Sequence, residues 1–290
     1  MKTLTVHHTT TYRYSEPVKF GEHRLMFRPR DSHDMRLLET SLMISPAAEV
    51  RWLHDVFGNS VAIATFSEPA AELHFESEFR VEHYGVTETS FPLDEGAETY
   101  PFQYSAQELP DLMPSIVRGY SDPEGRLDAW VKNFYSGEPV NTQQLLINIT
   151  LAIKQQLVYQ MREQFGTKSP AETLASGTGT CRDYALLMME AARTLGLGAK
   201  FVTGYLYDVV ADNAPQGLVG GAATHAWVQV YLPGAGWAEF DPTNGIVGGE
   251  NLIRVAVTRH PLQAVPLQGS FEGPANAFID MTVDVQVRRD

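Results

Sequence analysis

Polar and apolar residues alternate along the first part of the chain. Leu4, Val6, His8, Thr10, Tyr12 and Tyr14 share one parity, as do Leu73, Phe75, Phe79 and Val81. A period of two puts alternate side chains on one face, so both runs predict half-buried strands. Between them Leu37 to Ile44, Val50 to Leu53 and Val61 to Phe66 predict further strands, the last two joined through a hairpin signal at Phe57-Gly58-Asn59. Short spacing without helices predicts a small antiparallel β-sandwich over residues 1–85.

The alternation fades over residues 86–140. Pro92, Pro101, Pro110, Pro114, Pro123 and Pro139 interrupt any long element, which predicts a connecting region with short helices, one running from Ser121-Asp122-Pro123-Glu124 to about Phe134. A longer helix is predicted over Thr142 to Tyr159, where Leu145, Ile149, Ala152, Ile153 and Leu157 form an apolar stripe. Beyond it a glycine-rich turn, Ser176 to Thr180, leads into Cys181 and a helix-like run, Arg182 to Leu195. Strands are predicted at Lys200 to Tyr207, Thr224 to Leu232 and Gly236 to Asp241, the last two joined as a hairpin by Pro233-Gly234-Ala235, and a final strand at Ala277 to Val287. The expected fold class is α+β, with residues 141–290 forming a second region in which a helix packs on an antiparallel sheet and the last strand closes it.

Within the helix Cys181, Ala185, Met188, Ala192 and Leu195 fall on one stripe, while Arg182, Glu190 and Arg193 fall off it. The thiol is therefore expected to face the sheet. Thr180-Cys181-Arg182-Asp183 matches a capping box, which gives Asp183 a structural role, and Gly196 and Gly198 offer a left-handed stop.

Composition sharpens interest in that position. Cys181 is the only cysteine in 290 residues, so no intrachain disulfide is possible, and no Cys/His cluster offers zinc ligands. A net charge of −13 argues against nucleic-acid and anionic-membrane partners. No start resembling a signal peptide and no apolar run of membrane-spanning length occurs, so a cytoplasmic location is expected. A lone cysteine is most often a small packing residue. The glycines before Cys181 and its place at a helix start, where backbone N–H groups favour thiolate, point instead to a nucleophile.

A nucleophile needs a base. His225 shares strand parity with Trp227, Gln229 and Tyr231, and the opposite face, Ala226, Val228, Val230 and Leu232, is aliphatic and expected in the core. The mixed face is then expected to line a cleft, with His225 as base and Trp227 beside it. Asp241 supplies a third member if an odd number of residues separates paired positions of the hairpin, for example Tyr231 opposite Trp237. His225 and Asp241 then become diagonal neighbours on one face, ~7–8 Å apart along the backbones. An even loop would put them on opposite faces. Asp241 also precedes Pro242-Thr243-Asn244-Gly245 and is suited to cap that turn.

Gly179-Thr180-Cys181-Arg182-Asp183-Tyr184-Ala185, Thr224-His225-Ala226-Trp227, and Gly236-Trp237 through Phe240-Asp241-Pro242-Thr243-Asn244 together resemble the bacterial transglutaminase-like family, relatives of papain-like cysteine hydrolases. Tyr159, Pro170 and Leu174 extend the resemblance upstream, and the β-rich start looks like the domain that precedes this core. The resemblance implies a papain/transglutaminase-like core with Cys181 as nucleophile, His225 as general base and acid, and Asp241 orienting the imidazole. It implies the Cys181 N–H as an oxyanion donor, with Tyr159 the candidate to complete the hole. Val257-Thr258-Arg259-His260-Pro261 departs from the glycine, arginine, aspartate and aromatic that relatives often carry after the last core strand.

Three readings follow from the resemblance. A thioester on Cys181, formed from a glutamine side chain or a peptide amide, is resolved by an amine acceptor in one and by water in another; in the third the fold is an idle protein-binding module. The loop over residues 208–222 is a candidate gate. No metal or cofactor is implied, because the acidic residues do not cluster as oxygen ligands.

Overall fold

The alternation at the start of the chain builds long strands. The computed structural model describes residues 1–85, 90–162, 166–208 and 223–290. Its N-terminal region holds β1 Lys2–Phe20, β2 His23–Leu25, β3 Met35–Ser45, β4 Ala48–His54, β5 Ser60–Phe66 and β6 Ala70–His83. They pair antiparallel in two sheets, β3-β6-β1 and β2-β5-β4. Leu73 and Phe75 of one sheet meet Leu25, Ala62 and Ala64 of the other, which is the buried interior of a sandwich.

Among the described residues five α-helices follow: α1 Leu109–Ile116, α2 Arg126–Val131, α3 Thr142–Gln156, α4 Pro170–Ser176 and α5 Cys181–Thr194. The helix expected from residue 121 is shorter, because the Asp122 carboxylate accepts the backbone N–H groups of Arg126, Leu127 and Asp128 and sets its start there. α3 stops before the expected Tyr159. Leu157 turns extended, and Val158–Tyr159 pairs in parallel with Thr178–Gly179, which carries Tyr159 beside the residues that precede Cys181.

The second region has an antiparallel sheet of β7 Ala199–Leu206, β8 His225–Leu232, β9 Gly236–Asp241 and β10 Leu252–Thr258, in the order β9-β8-β7-β10. α5 covers one face, packed on the buried aliphatic residues Ala226, Val228 and Val230 of β8. The sandwich covers the other, where Leu4, Val6 and Phe79 meet Tyr205, Ile253 and Val255. At the edge of this sheet Asn59, from the hairpin between β4 and β5, donates Nδ2–H to the Val257 carbonyl and accepts the Val257 N–H at Oδ1, both at 2.9 Å.

Two expectations are corrected. The final strand, β11 Phe278–Arg289, pairs antiparallel with β1 and joins the sandwich, as do Leu267–Gln268 on β2 and Phe271–Glu272 on β1. The second region therefore does not run through to residue 290. Alternation predicts a strand but carries no information about its neighbour. Secondly, α5 has no solvent face: Glu190 and Arg193, expected off the buried stripe, are 0% and 3% exposed. Residues 115–120 lie over them and supply backbone partners, as Ser115 does for Arg193 and Gly119 for Glu190. Among the described residues no helix is long and apolar enough to cross a membrane.

Candidate active site

Glycine shapes the approach to α5. Gly177, at φ 64°, ends α4 in the left-handed conformation. A Cβ on Gly179 would lie 2.9 Å from the Tyr184 ring and 3.0 Å from Asp183 Cβ. Gly177 is thus required by its left-handed backbone and Gly179 by the close approach of Tyr184 and Asp183. Thr180 then caps the helix: its Oγ1 accepts the Asp183 N–H, and Asp183 Oδ2 accepts the Thr180 N–H at 2.9 Å. Asp183 is fully buried and also accepts from Arg162 at 3.1 and 3.2 Å and from the Lys168 N–H at 2.7 Å. Its charge is fully engaged. Arg162 escaped the sequence reading because neither periodicity nor spacing connects it to Asp183, 21 residues away.

The hairpin takes the register that brings His225 and Asp241 together. Tyr231 lies opposite Trp237 and Val228 opposite Phe240. His225 Nε2 stands 2.9 Å from Asp241 Oδ2, with the carboxylate accepting. Asp241 caps the following turn as well, since Oδ1 accepts the N–H groups of Thr243 and Asn244, and Asn244 Nδ2 donates to Oδ2 at 2.8 Å. Asn244, a further buried partner of Asp241, was legible only as part of the turn.

Trp227 has a different place from the one expected. It is 0% exposed, packed with Val202, Leu206 and Leu252, and its ring stacks 6.0 Å from the imidazole of His225 at 26°. It backs the histidine and lines no open cleft. Gly204, paired with His225 across the sheet, makes room: a Cβ there would fall 2.0 Å from the Ile253 carbonyl oxygen and 2.9 Å from the Trp227 ring.

Cys181, 8% exposed, interacts with both His225 and Tyr159. Burial opposes a charge on the imidazole, but Asp241 and then Cys181 outweigh it and push the His225 pKa up to about 10. Burial alone would raise Asp241, yet His225, Asn244 and the Thr243 N–H hold it below its ordinary value. The Tyr159 hydroxyl is raised by burial and by its contact with Cys181. Among the described residues His225 Nδ1 is buried without a hydrogen bond of ordinary geometry, so one ring nitrogen is held by Asp241 and the other is not committed to the scaffold.

The remaining candidates lie elsewhere. Except for Asp208, the loop over residues 208–222 falls outside the described residues. In the divergent stretch, His260 stacks on Tyr120 at 5.4 Å, the Arg259 carbonyl accepts from Arg193 near the far end of α5, and the Pro261 carbonyl accepts from Arg182 at its start at 2.9 Å, so this segment runs along the helix. Among the described residues no group of three His, Cys, Asp or Glu side chains is placed to hold a metal ion.

Residues 4–82 match the bacterial transglutaminase-like N-terminal region, and residues 128–242 match the transglutaminase-like superfamily. An uncharacterized protein of Mycobacterium tuberculosis is 29% identical over 301 residues, covering 97% of this chain and 91% of that protein. One from Mycobacterium leprae is 24% identical over 288 residues, covering 97% and 98%. A crystal structure from Cytophaga hutchinsonii, named "putative cysteine protease", superposes with a TM-score of 0.73 at 19% identity, covering 99% of this chain and 90% of that one. At that identity the likeness is one of fold. One chain thus joins a bacterial transglutaminase-like N-terminal region to a core of the transglutaminase-like superfamily.

Proposed function

We propose that the protein is a cysteine-dependent enzyme that cleaves a glutamine side-chain amide or a peptide bond through a thioester on Cys181. The observation that carries this reading is the position of His225, bound to Asp241 through Nε2 while its uncommitted Nδ1 belongs to the ring that interacts with the thiol. His225, its pKa raised by Asp241 and Cys181, holds the proton given up by the thiol before the substrate arrives, and the sulfur attacks the substrate carbonyl carbon. The resulting oxyanion is met by the Cys181 N–H at the start of α5 and by the Tyr159 hydroxyl. His225 then protonates the departing nitrogen as the C–N bond breaks, leaving the thioester. Water or an amine attacks the thioester carbonyl next, giving up a proton to His225, and the thiolate leaves. Asp241, fastened by Asn244 and the turn it caps, keeps the imidazole in one orientation throughout.

Wild type and Cys181→Ala are compared with a glutamine-containing peptide, an amine donor and an amide substrate, following amine incorporation and hydrolysis separately. Loss of both signals in the variant is expected. Unchanged turnover would overturn the mechanism, and the ratio of the two products in wild type identifies the acceptor.

A further inference from the structure

Arg182 follows the nucleophile directly, and no carboxylate answers its charge. Arg162, Arg193 and Arg254 each meet one, at 3.1, 2.8 and 2.6 Å. Arg182 is half-buried, with Nη2 donating to the Pro261 carbonyl at 2.9 Å and the guanidinium carbon 5.2 Å from the centre of the Phe201 ring. Among the described residues it makes no ion pair, because the neighbouring Asp183 is spent on Arg162 and on the N–H groups of Thr180 and Lys168. A cation in the first turn stands at the positive end of the helix, and partial burial adds to the cost. Burial accordingly holds its pKa below the ordinary arginine value, and what support it has comes from Cys181 first, then Asp183 and Tyr120. Chains break local rules of this kind chiefly at functional sites.

The surroundings add donors, not acids. Tyr120, which lies in the field of Arg182, stacks on His260 at 7°. His260 Nδ1 accepts the Leu262 N–H, so Nε2 carries the ring proton, and burial with Arg259 and Arg193 lowers its pKa and keeps the ring a neutral donor. Arg259 is exposed and likewise makes no ion pair among the described residues. Glu190, the acidic group that reaches His260, is already bound by Arg193 and by the N–H groups of Gly119 and Tyr120. In a chain with a net charge of −13 this leaves a positive spot beside the nucleophile.

We infer that Arg182 binds a carboxylate of the acyl donor, so that the site selects substrates with a negative charge next to the carbonyl that is attacked. This rests on the nucleophilic role of Cys181 proposed above. The Pro261 carbonyl takes one N–H of the planar fork and leaves an edge for bidentate contact with a carboxylate. Pro261 and Phe201 hold the plane in place before the substrate arrives, so little side-chain freedom is lost on binding. Arg259 adds to the potential that draws an acid in. The sulfur is not the anion this fork awaits, since it has the His225 imidazolium as its partner.

The single cysteine makes the test direct. Alkylation of Cys181 by iodoacetate, which carries a carboxylate, is compared with alkylation by neutral iodoacetamide in wild type, Arg182→Gln and Arg182→Lys. The His225 imidazolium attracts iodoacetate in all three, so differences across residue 182 isolate the guanidinium. The iodoacetate-to-iodoacetamide rate ratio is expected to fall about tenfold in Arg182→Gln, through the iodoacetate rate. An intermediate ratio is expected in Arg182→Lys, which keeps the charge and loses the fork, and which serves if Arg182→Gln does not fold. Protection of Cys181 from iodoacetamide then locates the carboxylate, using a glutamine peptide with a neighbouring aspartate and an amidated end, one with a free C-terminal carboxylate, and a neutral one. Stronger protection by either acid supports the subsite and names the source. The wild-type ratio in either variant, equal slowing of both reagents, or equal protection by all three peptides would overturn the subsite and leave the nucleophile standing. A Cys181 that neither reagent alkylates would remove the nucleophile, and the subsite with it.

Discussion

Among the described residues two ion pairs have both side chains fully buried, and only one of them has capacity left over. Glu190 and Arg193 lie in the second half of α5, and their polar atoms are spent on architecture. Glu190 accepts the N–H groups of Gly119 and Tyr120 as well as Arg193 Nη1, while Arg193 donates to the carbonyls of Ser115, Ala199 and Arg259. His225 and Asp241 are buried as deeply, and Asp241 is as fully bonded, yet Nδ1 of the imidazole is uncommitted. A saturated pair holds segments in place. A pair with one unspent nitrogen retains the ability to take and return a proton, and in this chain that nitrogen belongs to the ring beside the lone thiol.

The sharpest break of this comparison exchanges one carboxylate in each pair. Asp241→Asn is expected to lower turnover by about 10²–10⁴-fold, the range associated with losing a positioned acid–base group. Glu190→Gln is expected to leave turnover per folded molecule unchanged, so equal losses in the two variants would erase the distinction. Stability should rank them the other way. Arg193→Met strands Glu190 in the interior and is expected to cost about 3–5 kcal/mol in urea unfolding.

pH separates the pairs further. The His225 pKa rises from 6.5 to about 10 on folding, so its contribution to stability is complete below 6.5 and is lost as pH climbs toward 10. Asp241 is shifted down, so its contribution holds above the ordinary carboxylate range and is lost as pH falls through it. The unfolding free energy of the wild type, from urea titrations, should therefore decline between pH 7 and 10 with a slope of at most ~1.4 kcal/mol per pH unit. Asp241→Asn should flatten that slope, and a slope that persists would remove the coupling between the two residues. The smallest effect is expected from Gly204→Ala, about 1–3 kcal/mol, because the added methyl must displace the Ile253 carbonyl or the Trp227 ring. A loss of turnover greater than the loss of folded protein would show that the indole holds the imidazole in place.

Much of the site could be read from local pattern. Capping residues act within one turn, so Thr180 and Asp183 marked the start of α5, and a three-residue hairpin loop determines the register that joins His225 to Asp241. What escaped depends on parts of the chain far apart in sequence. A single-helix pattern assumes one solvent face, and nothing in residues 181–195 announces that residues 115–120 cover it. The alternation of Ile279 to Val287 is equally compatible with either sheet. Trp227 shares its parity with His225, but whether that face is open depends on Val202, Leu206 and Leu252, which lie on other strands.

The carboxamide of Asn59 has a consequence for how freely this architecture can be rearranged. With one side chain it stands in for the strand missing beside Val257, so the border of the core sheet is completed by a loop that belongs to another part of the chain. Grafting the core onto a different leader would bare that border, together with Tyr205, Ile253 and Val255. The sandwich is therefore not an interchangeable module: any substitute would have to bring its own amide to the same spot.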